Sequence, residues 1–125
     1  MADRFENLEV FKESHKFVLL VYRVTSKFPK DEKFALTSQL RRAVASIVAN
    51  IVEGNARGHS KEFVQFLFQS IGSLEEVKYH ILLAKDIGYI SKDDYEVLHQ
   101  QAEIVGRLLS GLMKYWKQNS QKSYA

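Results

Sequence analysis

One apolar stripe near the C-terminal end most narrows the folds open to this chain. Its members recur at alternating steps of three and four residues: Tyr95, Leu98, Ala102, Val105, Leu109, Leu112 and Trp116. Such spacing keeps side chains on one face of an α-helix, whereas a half-buried strand alternates with a period of two. A stripe with this heptad spacing packs against other helices. The chain therefore needs further helices to cover it.

Three more helical segments precede this one, each ended by a residue that disfavours the helical conformation. The first ends at Pro29, the second near residues 54–58, and the third at Gly88. Ser60 is the predicted N-cap of the third helix, and Ser91, with an acid three residues later, is that of the fourth. No segment alternates with the period of a strand between turn signals.

Long helices joined by short loops pack as antiparallel neighbours. The sequence therefore predicts an all-α fold, a single antiparallel up-down-up-down four-helix bundle that occupies residues 1–117. Residues 118–125 have no apolar periodicity and are predicted to form a disordered C-terminal tail.

Composition excludes several classes of protein chemistry. The chain has no cysteine, so disulfides, thiolate catalysis and Cys-ligated zinc are excluded. Its start, MADRFENLEV, does not resemble a signal peptide. The longest aliphatic run, FVLLV, is far shorter than the ~20 residues that span a bilayer. We therefore expect a cytoplasmic protein.

The second helix lies in the segment SQLRRAVASIVANIVEGNARG, residues 38–58, and is apolar around most of its circumference. One narrow polar stripe interrupts this surface and contains Gln39, Arg42, Ser46, Asn50 and Glu53. The stripe could be a catalytic groove, a nucleic-acid track or a set of hydrogen bonds between packed helices. A bundle core needs an apolar face of only somewhat over ~100°, so this helix has apolar surface left for a second contact. We expect that contact to be a neighbouring subunit, with Val48 and Val52 in the oligomer interface.

The third helix carries a second polar stripe that contains Gln65, Gln69, Ser73, Glu76 and His80. A turn centred between residues 57 and 58 predicts these facing pairs: Asn50 with Gln65, Ser46 with Gln69, and Arg42 with Ser73. One turn beyond, Arg42 is expected to donate to Glu76 in a partly buried charged pair. The predicted polar inter-helix network comprises Gln39, Arg42, Ser46, Asn50, Glu53, Gln69, Ser73 and Glu76. We interpret it as a device that fixes helix register rather than as an active site.

The chain resembles the small bacterial four-helix bundle proteins that are also called 23S ribosomal RNA intervening-sequence proteins. Three segments carry the resemblance: FENLEVFKES, FPKDEKFALTSQLRRAVASIVANIVEGNARGHSKEFVQFLFQSIGSLEE and LAKDIGYIS. The most specific matches are Arg41, Arg42, Ser46, Asn50, Glu53 and Gly54, followed by Gly72, Ser73 and Glu76. One departure is Val48, where the family often has proline, so this helix is expected to be straighter.

This resemblance implies a four-helix bundle that assembles into a ring-shaped homo-oligomer, commonly a pentamer. It implies no established catalytic activity. A more distant similarity to accessory proteins of diversity-generating retroelements suggests binding to nucleic acid or to a reverse transcriptase, by analogy of fold.

Charge is unevenly distributed along the sequence. Residues 12–42 contain eight Lys or Arg and three acids, whereas residues 75–103 contain three Lys and seven acids. In the predicted topology, the loop between helices 2 and 3 lies at the same end as both termini. The nucleic-acid patch predicted at that end comprises Arg57, Lys61, Lys114, Lys117 and Lys122. The alternative is that these are scattered, solvated side chains.

Metal-dependent catalysis is the main enzymatic alternative. Glu96 and His99 have the spacing of a di-iron ligand pair, but Glu96 points away from the apolar stripe and no second pair exists. Glu76 and His80, one turn apart, could share a proton or a metal, although such pairs are usually structural. His15 is expected to be a core or interface histidine. We therefore predict no catalytic residue, no metal site and no cofactor.

These observations predict a non-enzymatic, oligomeric accessory factor that binds nucleic acid or protein and is linked to ribosomal RNA intervening sequences. The alternatives are a purely structural self-assembly module and a small metal-binding enzyme. The expected partners are copies of the chain itself and RNA or DNA, with no membrane and no small-molecule substrate.

Overall fold

The computed structural model describes residues 4–122, and the side chains of residues 4–119. Four α-helices account for most of this range, and no strand occurs within it. They are α1 (Glu9–Thr25), α2 (Leu36–Arg57), α3 (Ser60–Asp86) and α4 (Lys92–Lys122). Two short 3₁₀ turns, Phe5–Asn7 and Lys30–Glu32, precede α1 and α2. The prediction of an all-α fold with four helices is confirmed.

Helix ends follow the predicted local chemistry at most boundaries. Gly58 (φ 73°) and Gly88 (φ 87°) adopt the left-handed conformation just after α2 and α3. At the start of α4, the backbone N–H of Asp94 donates to Ser91 Oγ at 3.0 Å. The prediction for Ser60 is wrong. His59 is the N-cap, with extended backbone and no side-chain bond, and Ser60 is already helical.

The helix α4 continues into the segment that the sequence predicts to be a disordered tail. It includes residues 118–122, whereas residues 123–125 lie outside the described part of the chain. No glycine or proline follows Gly111, so no residue forces the helix to end earlier.

The core lies on the inner faces of all four helices, and α2 contributes residues from most of its length. Five α2 side chains have no exposed surface: Leu40, Ala43, Val44, Ile47 and Ile51. The predicted stripe of α4 also faces the core. Leu98, Ala102, Val105 and Leu109 are buried, and Tyr95, Leu112 and Trp116 pack against the core while partly exposed. The heptad pattern therefore identifies the buried face of α4 correctly.

Each consecutive pair of helices is in contact, and α1 also contacts α4. Gln101 of α4 is buried, and its Nε2 donates to the backbone oxygen of Glu13 in α1 at 2.9 Å. Between α1 and α2, Arg41 Nε donates to Thr25 Oγ1 at 2.9 Å and Nη2 donates to the Tyr22 carbonyl at 3.3 Å. The guanidinium therefore lies at the C-terminal end of α1, where the helix dipole favours a cation.

Three side chains whose contacts were predicted from the sequence, those of His15, Val48 and Val52, lie at or near the surface of the chain. His15 is exposed and stacks on Phe11 with ring centroids 5.6 Å apart, so it is not a core residue of this chain. Val48 and Val52 are only half-exposed, because they share the α1-facing side of α2 with Arg41. Ala45 and Ala49 form the more exposed strip of α2, and the oligomer contact of Val48 and Val52 stays a prediction.

Candidate functional site

The polar stripes of α2 and α3 contact each other along one side of the bundle. Arg42 Nη2 donates to Glu76 Oε2 at 2.5 Å and to Gln39 Oε1 at 2.8 Å. One turn along α2, the hydroxyls of Ser46 and Ser73 are 2.9 Å apart. The Arg42–Glu76 contact predicted from the sequence is therefore present. Its setting is more open than expected, because 57% of the Arg42 side chain and 37% of the Glu76 side chain are exposed.

Further hydrogen bonds continue this interface toward the core. Asn50 Nδ2 donates to the Ser46 carbonyl at 2.9 Å, so this side chain bonds within α2 rather than across to α3. Ser70, which the sequence analysis did not single out, is fully buried, and its hydroxyl donates to the Ile47 carbonyl at 2.8 Å. In the sequence, Ser70 stands at a position of α3 that apolar residues otherwise occupy. A buried hydroxyl there needs a partner, so this position indicated a hydrogen bond to a neighbouring helix.

The predicted register of α2 against α3 is wrong by three to four residues. Ser46 faces Ser73 and not Gln69, and Gln65 and Gln69 are both exposed. The reason lies in the connection between the helices, because α2 extends to Arg57 and α3 begins at Ser60. The centre of the turn is therefore displaced toward the C-terminal side, and each α2 residue meets a later residue of α3. Glu53 is not part of the inter-helix contact, since it accepts from Arg57 on its own helix at 3.1 Å.

His80 extends the charged end of the interface. Its Nε2 lies 3.3 Å from Glu76 Oε2, and 17% of the side chain is exposed. The buried Nδ1 has no hydrogen-bond partner among the described residues. Arg42, Glu76 and His80 thus form a chain of three polar groups centred on one carboxylate. That arrangement can fix the rotamer of Glu76 and the register of the two helices.

Glu96 and His99, which have the spacing of a di-iron ligand pair in the sequence, do not pair in the structure. His99 Nε2 lies 3.8 Å from Glu103, one turn further along α4, and its ring stacks on Tyr95. Glu96 is exposed. Within residues 4–122, no group of three or more His, Asp or Glu side chains is placed to hold a metal ion.

The predicted basic patch divides between two flanks of α3. Arg57 forms ion pairs with Glu53 at 3.1 Å and Glu62 at 4.0 Å, and its guanidinium lies over the Phe66 ring. These acids reduce its attraction for an anion. Because Phe66 and Phe68 are two residues apart on a helix, their side chains project to opposite sides.

The lysines of α4 lie on the other flank. Lys117 Nζ is 5.4 Å from the centre of the Phe68 ring, and 48% of Phe68 is exposed. Lys114 is exposed on the same helix. Lys61 is exposed near the start of α3, and the side chain of Lys122 lies outside the described residues.

A cleft of about 400 Å³ lies between α3 and α4, and Ile71 at its edge is one helical turn from Phe68. Its lining residues are Ile71, Leu74, Glu75, Lys78, Glu103, Gly106, Arg107 and Ser110. At its far end Lys78 pairs with Glu75 at 3.2 Å and with Glu103 at 3.7 Å. Neither Phe68 nor Arg107 belongs to the patch predicted from the sequence, although the steps from Arg107 to Lys114 and Lys117 place these three basic residues on one helix face.

Aromatic rings are also exposed at the opposite end of the bundle. Phe34, in the connection between α1 and α2, is 88% exposed, and Lys33 Nζ lies 5.5 Å from the centre of its ring. On α1, 42% of Tyr22 is exposed, and the Arg41 guanidinium lies 4.4 Å from its ring centre. Leu19 is exposed one turn before Tyr22. Large apolar side chains therefore accompany basic ones on the surface.

Comparisons with known proteins identify relatives that match most of the chain. The family model described as 23S rRNA-intervening sequence protein matches residues 6–111. The fold is similar to a crystal structure from Bacteroides thetaiotaomicron, described as a protein with unknown function from the S23 ribosomal protein family. The TM-score is 0.78 and the sequence identity is 24%, over 84% of this chain and 95% of that chain. A search of curated proteins gave no match. Among the described residues, no helix combines the length and hydropathy needed to cross a bilayer.

Proposed function

We propose that this chain, which belongs to the 23S rRNA-intervening sequence protein family, is a non-enzymatic accessory protein that binds RNA. The observation that carries this proposal is the pairing of a basic side chain with an exposed aromatic ring. Lys117 Nζ lies 5.4 Å from the centre of the Phe68 ring, and 48% of Phe68 is exposed. Cations supply affinity for the phosphate backbone, and exposed rings offer surfaces on which bases stack.

The polar network between α2 and α3 supports a non-enzymatic function. Ser46, Ser73 and Ser70 are engaged in hydrogen bonds that join the two helices. Glu76 is held between Arg42 and His80. Groups occupied in this way stabilise the interface, and we assign them the role of fixing helix register.

We also propose that the chain is an up-down-up-down bundle that assembles into a homo-oligomeric ring. The antiparallel contacts of α2 with α3 support this topology. The exposure of Phe34, Leu19 and Tyr22 supports self-association, because large apolar side chains on a soluble surface mark contact sites. The opposite charges of residues 12–42 and 75–103 favour contact between different surfaces of two copies.

Self-association has a direct test in light scattering. The wild type should have a mass several times the 14.5 kDa of one chain, and Phe34→Ser should reduce that mass while leaving the helical circular dichroism intact. Lys92→Ser, an exposed change outside this surface, serves as the control. A wild-type mass of one chain would reject the oligomer but not RNA binding.

RNA binding is tested by retention of a labelled oligouridylate on the purified protein at increasing salt. We expect the logarithm of the association constant to fall linearly with the logarithm of salt concentration, by about 0.7 for each phosphate contact. Absence of retention at low salt would reject the proposed function and favour the alternative of a purely structural assembly module.

A further inference from the structure

We infer that the outer α3–α4 groove around Phe68 is the RNA-contacting surface, and that it takes single-stranded RNA. The inference rests on the RNA-binding function proposed above and specifies its site and its ligand. We define the groove by Phe68 and Ile71 of α3 and by Arg107, Ser110, Lys114 and Lys117 of α4.

The two helices place these residues on facing sides of one groove. Ile71, Arg107 and Ser110 line the cleft. Phe68 is three residues before Ile71 and therefore shares its face of α3. Lys117 reaches the Phe68 ring. Lys114 lies between Ser110 and Lys117 at helical spacing, so it shares their face of α4.

The charge of the groove is positive at the end that contains Phe68. No acid follows Glu103 in the sequence, and Glu103 pairs with Lys78 at the far end of the cleft. Arg107, Lys114 and Lys117 form no ion pair among the described residues, in contrast to Arg57. From residue 107 to residue 117 an α-helix rises about 15 Å, which spans about four phosphates of a stacked strand at 3.4 Å each.

The groove has an open rim beside the aromatic ring. Gly72 lies one turn from Phe68 on α3, and Gly111 lies between Arg107 and Lys114 on α4. A Cβ atom at either position would meet nothing within 4 Å. Packing within this chain therefore does not require these glycines, although glycine inside a helix is unfavourable relative to alanine. Their lack of side chains leaves space through which a base can approach the Phe68 ring.

These features favour a single strand over a duplex. A base can stack on an aromatic side chain only when its face is unpaired and accessible, whereas duplex RNA is contacted through its shape, phosphates and 2′-hydroxyls. Phe68, with about half of its surface exposed and a cation beside it, offers the stacking surface.

The test compares Phe68→Leu with wild type in binding to oligouridylate and to a blunt RNA duplex. Leucine keeps the apolar volume but removes the stacking surface, so affinity for oligouridylate should fall about five- to a hundred-fold while duplex affinity stays unchanged. Tyr79→Leu is the matched control, because Tyr79 is 59% exposed on the same helix as Phe68 but lies about 16 Å further along it, outside the groove. It should bind like wild type.

A second variant keeps the test valid if Phe68→Leu folds poorly. Lys114→Gln combined with Lys117→Gln should weaken oligouridylate binding and reduce the salt dependence by about two phosphate contacts. The matched control is the double variant Lys12→Gln with Lys16→Gln on α1. It should leave the affinity for oligouridylate and its salt dependence unchanged.

The outcomes separate the groove from the proposed function. Wild-type RNA binding that neither groove variant weakens would place the site elsewhere while RNA binding stands. Equal loss of duplex and oligouridylate affinity in Phe68→Leu would overturn single-strand recognition. Competition by polyglutamate as strong as that by oligouridylate would show a general polyanion surface and overturn base stacking. Absence of binding by wild type at low salt would reject both proposals.

Discussion

Gly54 of α2 lies where α3 leaves no room for a side chain. A Cβ atom there would be 2.7 Å from Phe66 Cβ and 2.9 Å from Phe63 Cδ1. Gly54→Ala should therefore destabilise the fold, because overpacking costs about 1–3 kcal/mol and the gain in helix propensity offsets only about 1 kcal/mol. Urea unfolding measures the change. Gly111→Ala, where a Cβ meets nothing, is the control and should be neutral or stabilising. A more stable Gly54→Ala variant would contradict the close packing.

Two buried serines should respond in opposite ways to removal of their hydroxyls. Ser70 Oγ donates to the Ile47 carbonyl at 2.8 Å, whereas Ser14 Oγ has no partner among the described residues. An unpaired buried hydroxyl is unfavourable, so Ser14→Ala should raise the free energy of unfolding by about 1 kcal/mol. Ser70→Ala should lower it by a similar amount. Thermal melts of the two variants measure this difference, and a destabilised Ser14→Ala would indicate an unseen partner.

The Arg42–Glu76 pair should contribute less than its geometry alone suggests. Both side chains are more than a third exposed, and exposed ion pairs contribute about 1 kcal/mol or less. A double-mutant cycle with Arg42→Ala and Glu76→Gln should therefore give a coupling free energy of at most about 1 kcal/mol, and salt should reduce it. Coupling above about 2 kcal/mol would indicate that the pair is buried in solution, for example in an assembly.

Among the helical elements, one contact joins the two connections at the same end of the bundle. Tyr89, between α3 and α4, donates its hydroxyl to Glu32 Oε2 at 2.7 Å, in the connection between α1 and α2. This hydrogen bond raises the pKa of Tyr89, and burial and the negative charges of Glu32 and Asp31 add to the effect. The protonated tyrosine is thus favoured in the folded state.

The sign of this shift predicts an alkaline loss of stability. The folded-state pKa lies above the unfolded value of about 10, so the contribution is fully present below that pH and is lost as pH rises through the folded-state pKa. The difference in urea midpoint between wild type and Tyr89→Phe should therefore shrink on the alkaline side of about pH 10. Tyr95→Phe is the control. A difference that does not depend on pH would show that the hydroxyl bond is absent.

Periodicity in the sequence was sufficient to predict the elements and their buried faces, but not their register. The steps between Leu98 and Leu109 depend only on helix geometry, which is the same in every helix. The facing of Ser46 and Ser73 depends on where α2 ends and α3 begins, and helix boundaries are uncertain by a few residues. Ser60 and His59 illustrate this uncertainty, because a residue with no capping side chain took the position expected for serine.

Only part of the candidate groove was predictable from the sequence, because the exposure of an aromatic ring depends on tertiary packing. Lys114 and Lys117 were identified from charge, but the importance of Phe68 depends on its exposure, which hydrophobicity alone does not reveal. In the sequence FVQFLFQ, Phe63 and Leu67 are buried and Phe68 is not. Only the packed structure distinguishes them.

At the scale of the whole molecule, the helices differ in length enough to make the bundle uneven. α1 has 17 residues, whereas α3 has 27 and α4 has 31. At 1.5 Å per residue, α1 is about 25 Å long and α4 about 46 Å long. The longer helices therefore have surface that α1 cannot cover, and the groove near Phe68 lies on that pair.

The two-residue connection between α2 and α3, Gly58 and His59, has a consequence for the order in which the chain folds. Contacts between α2 and α3 join residues close in sequence, such as Ser46 and Ser73, which are 27 positions apart. The contact between Glu13 of α1 and Gln101 of α4 joins residues 88 positions apart. Closing the longer loop costs about 1 kcal/mol more in chain entropy. The α2–α3 hairpin should therefore form in the transition state, with α1 docking onto α4 afterwards.

Stopped-flow folding of dilute protein resolves this sequence of events. Ile47→Val in α2 should mainly slow folding, whereas Val21→Ala in α1 should mainly speed unfolding. The opposite assignment would mean that the early nucleus includes α1. If the hairpin does form first, the contact between α1 and α4 forms last and is released first, so the surface that these two helices share is the part of the core that opens most often.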